Sequence, residues 1–475
     1  MTPNRQDNFI YGDLENNLRQ YVKNHKLKTR PNASCGLWLF FVLPLSIILS
    51  TFKLVHVSYQ YGCMTLFSGQ LMVAGYAFMQ SSNRRSIFTY KNFVLISGVL
   101  LICSLNNAGI PFNIVSGLLA FLFSKVYTSL MHNFPSCFSC GEAALFAQGL
   151  LMFLLSSGIN IIHHFKHVPV TDSEISTLII QIGLLGILLL CILVGKINFF
   201  KRVYPFYIVS GLVIGFGILL PMILILRKDA VLWIYNYIFN SQRRIYFILY
   251  CGFCMIIGAK ALLYQIEQKK RANTSRRKVF HILAVMVYLP ALLYECTFIY
   301  LASGVILGVF IFLEVIRILD IPPLGPILHD GFLIFVDEKD SAGGISLSPL
   351  YLLIGLSLPL WIHPFGCDLT DSAGFQLLPF CSGLLTIGVG DTFASIFGML
   401  LGKHSWPGTK KTVEGTLGSI LVQICCLYGL FHYDLIVERD IPKAILAIVF
   451  TSLVEAKTDQ VDNLVLPLLA YIILV

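Results

Sequence analysis

From residue 37 to the last residue, long apolar runs alternate with short polar segments. The runs predict helical spans near 37–56, 62–80, 92–110, 112–131, 143–163, 175–196, 204–226, 245–264, 279–298, 299–319, 346–364, 374–389, 413–432 and 441–457. Each comes close to the roughly 20 apolar residues that a bilayer core requires. A last run at 463–475 is short for a crossing unless its helix begins near Asp459. The runs are continuous rather than alternating, which predicts helices and not barrel strands. The expected fold is therefore all-α, a polytopic transmembrane helical bundle of about 13–15 spans.

Composition strengthens this picture. The chain has 475 residues, of which 56% are hydrophobic and 12% charged, against roughly 25% charged in soluble proteins. The first 36 residues are polar with no apolar core near Met1, so a polar arm is expected at 1–36 and no cleavable signal peptide. The net charge of +9 matters through its distribution, and no nucleic-acid partner is expected. Short basic loops mark the cytoplasmic side of a membrane. The richest is Gln265–Lys278, QIEQKKRANTSRRK, and Lys23, Lys26, Lys28 and Arg30 of the arm share its sign. Both are placed in the cytoplasm. Asn273, in an N-x-S/T triplet within that loop, is then expected to stay unglycosylated.

Thirteen cysteines are scattered mainly through apolar runs, where they pack as small hydrophobes. Cys137 and Cys140 form one CxxC. With no second pair, a loop disulfide is a better reading than zinc. His163, His164 and His167 lack nearby carboxylates or cysteines in a ligand pattern and read as a juxtamembrane polar cluster.

The chain divides near residue 264. Residues 37–264 form a multi-span region with little visible chemistry, whereas in 265–475 charged and Gly-rich pieces recur at span ends. Counting spans from the cytoplasmic basic loop returns the chain to the same side at 320–346, 390–412 and 457–462. The opposite turns, near 367–372 and 432–440, are acidic or nearly neutral. One composite site on the cytoplasmic face is therefore expected.

Its pieces are specific. RRKVFH (276–281) leads into a span, with His281 about one turn inside. Glu314 and Arg317 are spaced i, i+3 and can pair on one helix face, presenting a planar guanidinium suited to phosphate. Asp337, in the charged loop DEKD, offers a carboxylate for Mg²⁺, which takes one or two carboxylates plus substrate phosphates. Residues 388–418, GVGDTFASIFGMLLGKHSWPGTKKTVEGTLG, combine Gly390, Asp391, Gly402, Lys403, the turn Trp406-Pro407-Gly408-Thr409, Lys410, Lys411, Glu414 and Gly415. Gly-rich turns expose N–H groups to phosphate, and lysine adds point charge. The spacing is not that of a Walker A loop. The stretch 391–402 reads as a short re-entrant helix lining an enclosed cavity. Glu455, Asp459 and Asp462, at i, i+4, i+7, predict one acidic helix face, followed by Asn463.

These blocks resemble the polyprenol kinase family, the dolichol kinases in particular. The likeness is carried by RRKVFH, LEVIR (313–317), DEKDSAG with SPLYLLIGLSLPLWI (337–362), residues 388–420 and KTDQVDNLVLPLL (457–469), and spans roughly 270–475. It implies an endoplasmic reticulum enzyme that phosphorylates dolichol with CTP and a divalent metal such as Mg²⁺, supplying the lipid carrier for protein glycosylation. It also implies a nucleotide-binding segment at about 396–411, facing the cytoplasm.

The combined expectation assigns phosphate contacts to Lys403, Lys410 and Lys411, with Gly408 and Thr409 assisting. Gly390, Gly402, Glu414, Gly415 and Asn463 complete the nucleotide-binding set. Asp391, Glu455, Asp459 and Asp462 serve as base or metal ligands, Asp337 is a further ligand, and Glu314 orients Arg317. The rival readings are a kinase for a phytol-like alcohol, a CTP:lipid cytidylyltransferase that transfers CMP, and a transporter. Transporters often carry inverted repeats, and no repeat is visible here.

Overall fold

A computed structural model describes residues 5–52, 58–81, 109–267, 274–335, 343–364 and 377–475. Among these residues there is no strand, only one isolated bridge. Among the described residues nine helices are long and apolar enough to cross a membrane, and five shorter apolar helices accompany them. Large side chains such as Tyr204, Phe216 and Leu400 face outward, as expected where lipid replaces water. The all-α membrane bundle follows directly from the continuous apolar runs.

The described residues form two units. The first holds α1 (Arg5–Asn24), α2 (Leu39–Phe52), α3 (Tyr59–Ser81), α4 (Ile110–Asn133) and most of α5 (Cys140–Lys166). The polar arm thus contains a helix. Its Leu18 and Tyr21 are buried, and the Tyr21 hydroxyl hydrogen-bonds Thr128 Oγ1 at 2.9 Å. Tyr21, Phe78, Phe123, Tyr127 and Phe40 form an aromatic core of tilted and edge-on pairs. Cys137 and Cys140 are buried and are not joined in a disulfide, and Cys137 Sγ donates to Gly343 O at 3.2 Å. Residues 343–345 and Asp459–Val461 also belong to this unit.

The second unit begins late in α5, where His163 contacts the rings of His164 and His167. Its helices are α6 (Asp172–Lys196), α7 (Val203–Leu226), α8 (Ala230–Phe239), α9 (Gln242–Glu267), α10 (Thr274–Tyr294), α11 (Cys296–Ile318), α12 (Leu324–Phe335), α13 (Ser348–Ile362), α14 (Leu384–Leu401), α15 (Val413–His432), α16 (Ile441–Lys457) and α17 (Asp462–Leu474). A capping box of Thr171 and Glu174 starts α6. Tyr288, Leu353, Leu356, Leu360, Leu384 and Leu385 form a core that α10, α13 and α14 share, joined by Phe380 of the short helical turn before α14.

Two expectations are corrected here. Residues 391–402 are not a short helix of their own. They continue a π-helical stretch, Leu384–Asp391, into the α-helical turns of Thr392–Leu401. The acids at 455, 459 and 462 do not share one helix face either, because α16 stops at Lys457 and α17 starts at Asp462.

Candidate active site

Three carboxylates converge in the second unit. Asp391 is the last π-helical residue of α14, Glu455 lies near the end of α16, and Asp462 opens α17. One oxygen from each lies within 4.8 Å of the others. Asp391 and Glu455 are buried. Like charges this close repel strongly in a poorly screened interior, so cations must answer them. Lys278, buried on α10, forms an ion pair with Asp391 Oδ2, and His281 Nδ1 lies 3.4 Å from the same oxygen. Lys411 Nζ donates to Glu455 O at 2.6 Å and to Glu455 Oε1 at 2.5 Å. Burial alone lowers the Lys411 ammonium, but the carboxylates of Glu455 and Asp462 outweigh it and hold the group above the ordinary lysine value. Three carboxylates against two ammonium groups leave one formal negative charge.

The donor set fits a hard divalent cation, which prefers oxygen ligands. A further observation agrees. Thr392 Oγ1, next to Asp391, and Asn463 Oδ1, next to Asp462, are buried with no hydrogen-bond partner among the described residues. Buried polar atoms normally have partners, so these two leave capacity for a ligand or its water.

Beside this cluster, residues 402–412 fold back on themselves. Ser405 and Thr412 form an antiparallel bridge, and Trp406 N donates to Lys411 O at 2.8 Å. Thr409 N donates to Trp406 O at 3.1 Å. Between them Pro407 and Gly408, the latter at φ +78°, make the pattern of a type II turn. Trp406 Nε1 donates to Thr416 Oγ1 at 3.0 Å, and the Lys457 ammonium lies 5.8 Å from the Trp406 ring centroid. Lys403 and Lys410 are exposed on this loop, while Lys411 turns inward to the acids.

A sequence model described as Dolichol kinase matches residues 97–350. The mouse Dolichol kinase is 35% identical over 379 residues, covering 78% of this chain and 70% of the relative. The human Dolichol kinase is 35% identical over 383 residues with the same coverage. The Saccharomyces cerevisiae protein of that name is 29% identical over 268 residues, covering 55% of this chain and 48% of its own. The chain belongs to the dolichol kinase family. No solved structure matches it. The family match starts at residue 97, so the likeness reaches well ahead of 270, where the motifs begin.

Within this dolichol kinase family member, the expected residues fall into distinct places. Asp391, Glu455, Asp462 and Lys411 come together. Glu314 and Arg317 pair as their spacing predicts, at 2.9 and 2.7 Å, and Glu314 Oε1 also accepts from Ser346 N at 2.7 Å. They tie α11 to the segment that leads into α13. Glu414 accepts from His404 Nδ1 at 2.6 Å and from His404 N at 3.2 Å, bracing the loop. Gly415 and Gly390 are sites of close approach. A Cβ at Gly415 would sit 2.7 Å from Ala394 O, and one at Gly390 would sit 2.9 Å from Gln423 Nε2. Gly402 is equally tight against Thr412, at 2.8 Å from Cγ2.

Asp459 leaves the cluster. Its carboxylate accepts from Ser34 N at 2.6 Å and Ser34 Oγ at 2.8 Å. Burial pushes its carboxyl upward, but these hydrogen bonds prevail and hold it below the ordinary aspartate value. Asp337 lies outside the described residues, as does the rest of DEKD. Lys278 and His281 join the cluster without having been assigned a role in it. The signal was present in RRKVFH, where their i, i+3 spacing puts both on one face of α10.

Proposed function

We propose that this kinase transfers the γ-phosphoryl group of CTP to the hydroxyl of dolichol at the cytoplasmic face of the endoplasmic reticulum membrane, supplying dolichyl phosphate for protein glycosylation. The observation that carries the reading is the meeting of Asp391, Glu455 and Asp462 with Lys411, which extends from the glycine- and lysine-rich loop. Phosphoryl transfer asks for positioning, charge neutralisation and a proton acceptor, and this arrangement holds residues for all three. In the reaction the alcohol oxygen bonds to the γ-phosphorus, the bond to the β-phosphate oxygen breaks, and CDP departs. A carboxylate of the cluster takes the alcohol's proton.

Lys403 and Lys410 on the exposed loop suit the triphosphate, with Gly408 and Thr409 shaping the turn that presents them. Asp391, Glu455 and Asp462 would hold Mg²⁺, which supplies neutralising charge at the phosphate oxygens when bound. Arg317, held by Glu314, offers a guanidinium for developing charge. The choice of CTP rests on the family resemblance of residues 388–420.

Orientation has independent support. Cys296 is disulfide-bonded and follows α10 at the end remote from Lys278, about 24 Å along the helix at 1.5 Å per residue. Disulfides persist in oxidising compartments. A reducing cytoplasm at the Lys278 end and an oxidising lumen at the Cys296 end agree with the basic loop at residues 265–278.

The test is purified protein with dolichol, Mg²⁺ and CTP labelled separately at the α- and γ-phosphates. Incorporation of γ-label alone is expected, and α-label in the lipid would establish CMP transfer instead. In the same assay Asp391→Asn is expected to lower kcat by at least about a hundredfold, with a monodisperse elution profile retained. Parental activity in that variant would remove Asp391 from the mechanism.

A further inference from the structure

The first unit contains an ion pair that the chemistry above does not use. Glu142, at the start of α5, is fully buried, and Arg30 is 5% exposed. Arg30 Nη2 donates to Glu142 Oε1 at 2.6 Å and Arg30 Nε to Oε2 at 3.3 Å. Pairs buried in this way gain little net stability, because desolvation offsets their attraction. Their remaining hydrogen-bonding capacity shows what this one does. Glu142 Oε1 also accepts from Val461 N at 2.8 Å, and Arg30 Nη2 donates to Asp459 O at 3.1 Å. Between those contacts, Gln460 accepts from Ser139 Oγ at 2.5 Å and donates to Ser34 O at 3.1 Å. With the Ser34 contacts to the Asp459 carboxylate, every residue of Asp459–Val461 is held by residues between 30 and 142 of its own unit.

The next residue along the chain is Asp462. Its Cα is one peptide link, about 3.8 Å, from the Cα of Val461, whose N–H is fixed on Glu142. We propose that Arg30 and Glu142 are positioning residues for the Asp462 carboxylate. They clamp the break between α16 and α17 so that Asp462 is offered to a divalent cation. This gives part of the N-terminal region a task in the reaction, and it rests on the reading of Asp391, Glu455 and Asp462 as a cation site.

Direct binding of Mn²⁺ to the purified full-length protein in detergent, followed by electron paramagnetic resonance without nucleotide or dolichol, provides the test. Glu142→Gln keeps the shape and removes the charge. Changes in groups that support metal ligands weaken affinity about 10–100-fold, so the half-saturating Mn²⁺ concentration of the monodisperse variant is expected to rise at least about tenfold. The Mn²⁺ concentration for half-maximal turnover is expected to rise in parallel. If Glu142→Gln does not purify in folded form, Arg30→Lys keeps the charge but loses the two-nitrogen contact, and the same rise is expected. Parental Mn²⁺ affinity in the folded variant, with Asp462→Asn abolishing binding, overturns the clamp and leaves the cation site standing. Absence of Mn²⁺ binding by the parent protein overturns the cation site, and the clamp with it.

Discussion

Asp391 and its neighbours show how closely single residues are balanced. The Asp391–Lys278 pair lies on helices α14 and α10, and both side chains are about nine-tenths buried. Removing one partner of such a pair leaves an uncompensated charge, which costs about 3–5 kcal/mol. Lys278→Met is therefore expected to lower the thermal midpoint measured by a thiol-reactive dye, and to abolish turnover. Lys410 offers the contrast. It is exposed and braces nothing in the cluster, so Lys410→Ala is expected to leave the thermal midpoint unchanged while raising the KM for CTP about fivefold, a loss of about 1 kcal/mol. Residue types told much of this in advance: an acid among glycines, adjacent lysines, and acids at a span boundary. The departure of Asp459 was not legible. It depends on Ser34, more than four hundred residues away in sequence, and periodicity carries no information about so distant a partner.

At the scale of elements, the helices and the turn were readable and the break was not. Trp406-Pro407-Gly408-Thr409 predicts a turn, and the loop closes through the Thr409 N–H on Trp406 O. Gly408 has φ +78°, a conformation that costs a residue with a side chain about 1–2 kcal/mol. Gly408→Ala is expected to raise the KM for CTP severalfold in steady-state assays, with helical content by circular dichroism unchanged. The end of α16 is different. Glu455, Asp459 and Asp462 carry a perfect helical spacing, and local pattern favours one continuous helix. Hydrogen bonds donated by Arg30 and Ser139 to the 459–461 segment, and accepted by Glu142 from it, override that pattern, a tertiary effect that overcomes local propensity.

For the whole molecule, hydropathy gave the class of fold, and charge predicts an orientation. In sealed microsomes, whose cytoplasmic face is outermost, a membrane-impermeant maleimide is expected to label Ser405→Cys and to spare Asp434→Cys. These positions precede and follow α15, whose 20 residues span about 30 Å. Equal labelling in intact vesicles, or the reverse pattern, would contradict the proposed sidedness. The N-terminal region was the least legible part. Its contribution lies in backbone contacts to segments distant in sequence, which no motif advertises. The family match beginning at residue 97 shows that this region shares in the likeness.

The π-helical stretch of α14 has a consequence for change in length. Each residue of an α-helix turns the chain by about 100° and advances it 1.5 Å, and a π turn holds one residue more. Losing a single residue between Leu384 and Asp391 would let the stretch relax to ordinary α-helix with what precedes and follows it kept in nearly the same rotational relation, whereas losing one from the α-helical turns of Thr392–Leu401 would swing everything beyond the gap by about a quarter turn relative to Asp391. The lysine-bearing loop that follows Leu401 would then leave the helix in a different direction. Over descent, the loss of a single codon is therefore expected to be borne more readily within Leu384–Asp391 than within Thr392–Leu401.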